Sequence, residues 1–73
     1  MTQNAELREV LVGAVARLRA DYKEVVVLRD YQGLSYDEMA DVLGCSVQAV
    51  KSRLFRARTV LRERLSRYLD ESD

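Results

Sequence analysis

Seven basic side chains, Lys51, Arg53, Arg56, Arg58, Arg62, Arg64 and Arg67, fall within one short stretch near the C-terminal end of the chain. Interleaved with Gln48, Ser52 and Phe55, they form a set that could donate hydrogen bonds to a polyanion and still offer apolar contact. Bulk charge hides the feature, because 12 basic and 12 acidic residues leave the whole chain neutral. The halves differ. Residues 1–43 carry five basic and eight acidic side chains, a net of −3, whereas residues 44–73 carry seven and four, a net of +3. A split of this kind points to one face for a polyanion and another for a different partner.

Other chemistry has little material. The chain has no histidine and a single cysteine, Cys45. An internal disulfide is therefore impossible and no zinc ligand set is credible. The carboxylates read as helix caps and surface charges, so we expect no enzyme, no metal and no cofactor. No apolar run reaches the roughly 20 residues that span a bilayer, and no signal-peptide core stands at the N-terminus, which points to the cytoplasm. A 33% charged fraction without proline favours a helical chain over a sheet or a disordered one. At 73 residues, one small domain is expected (core about 4–69), burying about 60% of the surface its unfolded chain exposes.

The elements that must position the basic run are four helices, an all-α arrangement. The first covers about Asn4 to Leu18, with Leu7, Leu11, Ala14, Val15 and Leu18 on one stripe and Arg8 and Arg17 in water. Asp21 to Tyr31 contains Glu24-Val25-Val26-Val27-Leu28, a β-branched run that period alone assigns to neither strand nor helix. It is read as helix, because no other segment offers a strand to pair with it. Asp21 is expected to cap it, with Tyr22, Val25, Val26 and Arg29 sharing a face. Gly33 suits a left-handed break. Ser35 and Glu38 then make an S-x-x-E capping box for a third helix whose apolar face is Met39, Val42 and Leu43, with Ala40 as a small contact. Gly44-Cys45-Ser46 is a turn of only three residues, with Gly44 free to take positive φ and Ser46 able to cap the next helix. Two helices joined this tightly form a helix-turn-helix signature. The fourth helix runs from about Val47 to Leu69, its apolar positions Val47, Val50, Leu54, Ala57, Leu61, Leu65 and Tyr68 or Leu69. Residues 70–73 are expected to fray.

In a helix-turn-helix the second helix enters the major groove and its first turns reach base edges. With Val47, Val50 and Leu54 facing the core, the groove-facing set is Gln48, Lys51, Ser52, Phe55 and Arg56. Lys51 and Arg56 suit guanine O6 and N7 or phosphate, Gln48 suits adenine, and Ser52 suits either. Phe55 either touches a thymine methyl group or packs into the core, as aromatics usually do. Free amides near Gln48 and Ala49 would accept a phosphate. Arg58 either pairs with Asp37 or Glu38 or contacts phosphate. Cys45 reads as a small buried hydrophobe, and Tyr22, Tyr31 and Tyr36 as edges of the core.

Tyr22 to Ala40, with its G-L-S-Y-x-E string at Gly33–Glu38, resembles the C-terminal promoter-binding domain (region 4) of bacterial sigma factors. Val50-Lys51-Ser52-Arg53-Leu54-Phe55-Arg56-Ala57-Arg58 looks like its recognition helix in the extracytoplasmic-function type. The resemblance covers about residues 14–66. Helix-turn-helix regulators of the LuxR type share the G-L-S string but lack the continuation through Arg53, Arg56 and Arg58. The resemblance implies reading of the upstream (−35) promoter element. By position Lys51, Ser52, Phe55 and Arg56 match the family's main DNA contacts, which favours the contact reading of Phe55, and with Gln48 and Arg53 they complete the candidate DNA-binding set. It also implies docking on the flap of the RNA polymerase β subunit and sequestration by an anti-sigma factor.

Two departures stand out. Leu18-Arg19-Ala20-Asp21 replaces the Leu-Pro that commonly precedes the second helix. The family's other domain, which binds the polymerase clamp and melts the downstream element, has no counterpart here. We therefore expect a portion of a longer protein rather than a small stand-alone one, with Met1-Thr2 added, and no initiation of transcription by this portion alone. The competing reading is a protein-interaction module held by an anti-sigma factor, or a stand-alone transcription regulator.

Overall fold

The computed structural model describes residues 2–71, and among them every regular element is helical. Helix α1 spans Thr2–Ala16, α2 Ala20–Val26, α3 Tyr36–Leu43 and α4 Val47–Glu71. Directly after α2 the chain continues as a π-helical segment, Val27–Tyr31. The 25 residues of α4, at about 1.5 Å each, run most of the molecule's 42 Å long axis. None of the described helices is long and apolar enough to cross a membrane.

One core joins all four helices. It holds Ala14, Val15 and Leu18 from α1 and the turn after it, Val25 and Val26 from α2, Met39 from α3, and Val50, Leu54, Ala57 and Leu61 from α4. The β-branched run is thus helix, as expected. Val25 and Val26 turn inward, while Val27 and Leu28 are half-buried in the π segment. The 3–4 spacing of α4 is borne out from Val50 through Leu61. Val47, expected to start the stripe, is only half-buried and lies outside the core, while beyond Leu61 the side chains of Leu65 and Tyr68 are half-buried and Leu69 is exposed.

Several expectations need correction. Leu11 and Val42 are 40% and 65% exposed. Leu11 turns to solvent while Leu7 and Val10 nearby are half-buried, and α3 buries only Met39 fully, with Ala40 and Leu43 packed against the edge. Tyr22 and Tyr36 do edge the core, but Tyr31 is exposed. Asp21 is not the cap of α2. Arg19 holds that position with no side-chain cap, and Asp21 in the first turn instead binds the Arg19 guanidinium and the Tyr22 amide. Asp70 continues α4; the fraying expected of Ser72 and Asp73 lies outside the described residues.

The breaks are where the sequence places them. Gly33 has φ +72° and Gly44 φ +66°, the left-handed region that favours glycine. The amides of Gly44 and Cys45 both donate to Ala40 O, which closes α3 in a Schellman-type turn. At its other end the capping box is complete: Glu38 N donates to Ser35 Oγ (3.1 Å) and Ser35 N to Glu38 Oε1 (2.8 Å). The bonds from the backbone and side chain of Ser35 hold the Glu38 carboxyl below its ordinary value.

A depressed carboxylate contributes stability above its unfolded pKa, and that contribution is lost as pH falls through the folded value. Wild-type stability should therefore fall more steeply than that of Glu38→Gln on acidification from about pH 6 to about pH 3, which denaturant unfolding at several pH values would show. Ser35→Ala should cost about 1 kcal/mol near neutrality. Parallel pH profiles for wild type and Glu38→Gln would remove the capping role of the carboxylate.

Candidate nucleic-acid interface

The α3-turn-α4 unit fixes which side of α4 faces water. Ser46 caps α4 through Ala49 N to Ser46 Oγ, 3.0 Å, and Val50 N donates to Ser46 O. Because that cap takes the Ala49 amide, the expected phosphate cradle at Gln48 and Ala49 is reduced to the first amides of the helix. From this start Val50 and Leu54 point inward and Ala57 and Leu61 continue the stripe. Gln48, Lys51, Ser52, Phe55 and Arg56 are left exposed across the first three turns.

Phe55 settles the choice left open by its type. It is 69% exposed, the most exposed large apolar side chain described, so it is no core residue. Largely in water, its ring adds little to the core and is free for an apolar contact from outside the chain. Its backbone carbonyl accepts from Thr59 Oγ1 (2.9 Å), a bond within the helix that leaves the ring free.

Lys51 is positioned from outside α4. Its Nζ lies 5.6 Å from the centroid of the Tyr36 ring, and the Arg29 guanidinium stands 4.8 Å from the same ring. Arg29 also donates to Leu34 O at 2.8 Å. The π segment, the Gly33 turn and the first turn of α3 are thereby tied to the base of the exposed face. Sequence reasoning missed this role of Tyr36 and Arg29. Periodicity reports faces within one helix, not contacts across a turn, although an aromatic one residue after a helix cap and beside a break is a usable signal.

Arg53 differs from the other candidates. It is half-buried and its Nη1 lies 3.8 Å from Cys45 Sγ, toward the turn, while Cys45 itself is half-buried rather than fully enclosed. Arg58 pairs with neither Asp37 nor Glu38. It reaches back to Asp30 in the π segment, Nη2 to Oδ1 2.7 Å. The wider π turn, marked by Gln32 N to Val27 O at 3.0 Å, sets Asp30 and Tyr31 at positions that a continuing α-helix would rotate elsewhere. That pair is partly exposed and so modest in energy, but it clamps the middle of α4 to the end of α2.

On a second side, Val27, Leu28, Val42 and Leu43 with the stems of Lys23 and Glu24 line an open apolar cleft of about 260 Å³. It lies in the acidic half of the chain.

Residues 8–61 match the family model described as Sigma-70, region 4. The chain belongs to the sigma-70 region 4 family. It is 34% identical over 62 residues to an ECF RNA polymerase sigma-E factor of Haemophilus influenzae, a match covering 85% of this chain and 33% of that protein. It is 39% identical over 56 residues to proteins of the same description from Salmonella typhimurium and Escherichia coli K12, covering 77% of this chain and 29% of each. The chain spans about a third of the length of the curated relatives it matches. The matched segment contains the whole α2-to-α3 unit, the turn and the exposed first half of α4. Most of α1 lies within it too, whereas the end of α4 lies beyond it.

If the Tyr36 ring orients Lys51, Tyr36→Phe should bind duplex DNA like wild type, whereas Tyr36→Leu should lose up to about 1 kcal/mol. Titration of a labelled duplex measures both; equal losses for the two variants would exclude the ring face as the cause.

Proposed function

We propose that this region 4 unit reads the upstream (−35) element of promoters in the major groove and so directs RNA polymerase to them in transcription initiation. The observation that carries the reading is the outward set on α4. Gln48, Lys51, Ser52, Phe55 and Arg56 are all exposed at the start of a capped helix that follows a tight turn. Two long cations, an amide, a hydroxyl and a bare aromatic are the groups that distinguish base pairs by hydrogen bonds and methyl contact. Arg53 contributes at the margin, to phosphate, since its guanidinium already leans on Cys45. The chemistry is binding rather than catalysis, and its place is the bacterial cytoplasm, where the template and polymerase are.

A second surface supports protein partners. The cleft at Val27, Leu28, Val42 and Leu43, with Val42 65% exposed, offers an apolar seat on the acidic half. It suits the polymerase β flap or an anti-sigma factor, and a partner covering α3 would also restrict access to α4. The alternative in which the chain is chiefly a protein-interaction module rests on this cleft.

Substitution separates the two readings. Lys51→Ala or Arg56→Ala should relax preference at one base pair by about 1–3 kcal/mol, measured by binding to a panel of singly altered duplexes. Equal losses on every sequence would mean phosphate contact only. Wild-type binding should weaken steeply with salt as counterions are released. Val42→Asp should leave duplex binding intact and lower the affinity for purified polymerase core; normal polymerase binding by this variant would remove the cleft from the account.

A further inference from the structure

Beyond the segment that the family model matches, α4 continues with Arg62, Arg64, Arg67 and Tyr68. Two of these arginines, Arg64 and Arg67, converge with Arg17 of the α1 end on a groove between α1 and α4. Val10, Ala14 and Tyr68 complete its walls and its volume is about 240 Å³. Most arginines elsewhere have partners within the chain. Arg19 holds Asp21, Arg58 holds Asp30, Arg29 holds Leu34 O, and Arg53 leans on Cys45. Among the described residues Arg17, Arg64 and Arg67 make no ion pair, and no side-chain hydrogen bond is formed by any of them. Arg64 is nevertheless half-buried.

Three guanidiniums lining one groove repel each other, and the half-buried one has given up part of its hydration without replacing it. Nearby carboxylates do not relieve this. Glu6 and Glu9 line an adjoining stretch that shares Val10, Arg17 and Tyr68 with the groove, but Glu9 is about 12 Å along the axis from Arg17 and neither carboxylate pairs with it. Glu63 and Asp70 each lie about one turn from Arg67; Glu63 flanks an open surface with Arg62, Ser66 and Arg67, Asp70 is exposed, and neither forms an ion pair with Arg67.

We infer that this groove docks an acidic peptide segment of a partner protein, with carboxylates taken by Arg17, Arg64 and Arg67 and an apolar side chain set against Val10, Ala14 and Tyr68. Arginine is the residue suited to this task, since its planar fork holds a carboxylate by two parallel hydrogen bonds. Duplex DNA is the poorer occupant. Arg64 and Tyr68 come three and seven residues after Leu61 and so share the buried side of α4, with α1 beside them, whereas Lys51 and Phe55 look out to water. Arg64 is also about 20 Å along the helix from Lys51. A small free anion fits less well, because the groove stays open along its length and runs on to Glu6 and Glu9. That continuation favours a chain whose acidic end meets the arginines and whose next side chains are neutral or basic.

The test is fluorescence anisotropy of the purified 73-residue chain with a labelled peptide that carries alternating glutamate and leucine at one end and serine and lysine after them, at low salt. We expect Arg64→Gln/Arg67→Gln and Arg17→Gln each to weaken binding roughly tenfold or more, and Arg62→Gln, which removes one charge outside the groove as Arg17→Gln does within it, to alter it by no more than about twofold. Saturating duplex DNA should leave peptide affinity unchanged, and inorganic phosphate should compete only through ionic strength, matched with chloride. Equal losses for Arg62→Gln and the groove variants would reduce the effect to general electrostatics and overturn the proposal. So would displacement by duplex, displacement by phosphate beyond the chloride control, or no binding at the highest soluble concentration. Circular dichroism of each variant checks that α4 is retained, and conservative Arg64→Lys/Arg67→Lys, which keeps charge but loses the fork, should bind with intermediate affinity.

Discussion

Everything the molecule presents to a partner depends on how α4 is rotated, and one apolar stripe sets that rotation. Val50, Leu54, Ala57 and Leu61 meet Val25, Val26 and Met39 in a small core. A small protein has little apolar area to bury, so each of these contacts is a large share of its net stability. Turning α4 by one residue, about 100°, would expose the stripe and bury Lys51 or Arg56. The hydrophobic effect therefore fixes, with no direct contact, which five side chains stand outward at the start of the helix. Phe55 shows how firm the constraint is: a large aromatic remains in water because its position in the heptad-like spacing leaves it no place in the core.

Polar devices add what burial cannot. Hydrophobic contact is non-directional; the turn between α3 and α4 needs direction. Gly44 supplies the left-handed residue, Ala40 O accepts the amides of Gly44 and Cys45, and Ser46 begins the next helix. The π segment then brings Asp30 to Arg58 and Arg29 to Tyr36, so that the end of α2 grips α4 on both sides of Phe55 in sequence. Individually these exposed ion pairs and ring contacts are weak. Their effect is on geometry, holding a lysine and a helix axis in place.

Much of this is legible in the residues. The S-x-x-E box, the two glycines and the 3–4 spacing of α4 each encode local geometry, and the caps, breaks and inward stripe obey them. So does the exposed set from Gln48 to Arg56, because choosing the inward residues also chooses the outward ones. The features that escape such reading depend on tertiary placement. The π turn has no local signature in Val27-Leu28-Arg29-Asp30-Tyr31, so residue type alone directs Arg58 to the carboxylates of α3 rather than to Asp30. Leu11 and Val42 fit their helical stripes and yet are exposed, since a stripe says which way a residue points and not whether a partner reaches it. Asp21, an apt cap by type, lies two residues past the Arg19 cap position, inside the helix. The groove at Arg17, Arg64 and Arg67 joins residues nearly fifty positions apart, beyond any pattern in a single helix.

The central claim is that the outward face of α4 reads base sequence. Its most direct test is selection of bound duplexes from a randomised pool by the purified chain at low salt. The account predicts enrichment of one short motif, narrow enough to lie under the first three turns of α4, and loss of that enrichment when Lys51 and Arg56 are both replaced by alanine. Binding without enrichment would contradict it, leaving a phosphate-binding surface without readout. Absence of binding would contradict it more broadly and shift the function of the fold to the apolar cleft at Val27, Leu28, Val42 and Leu43.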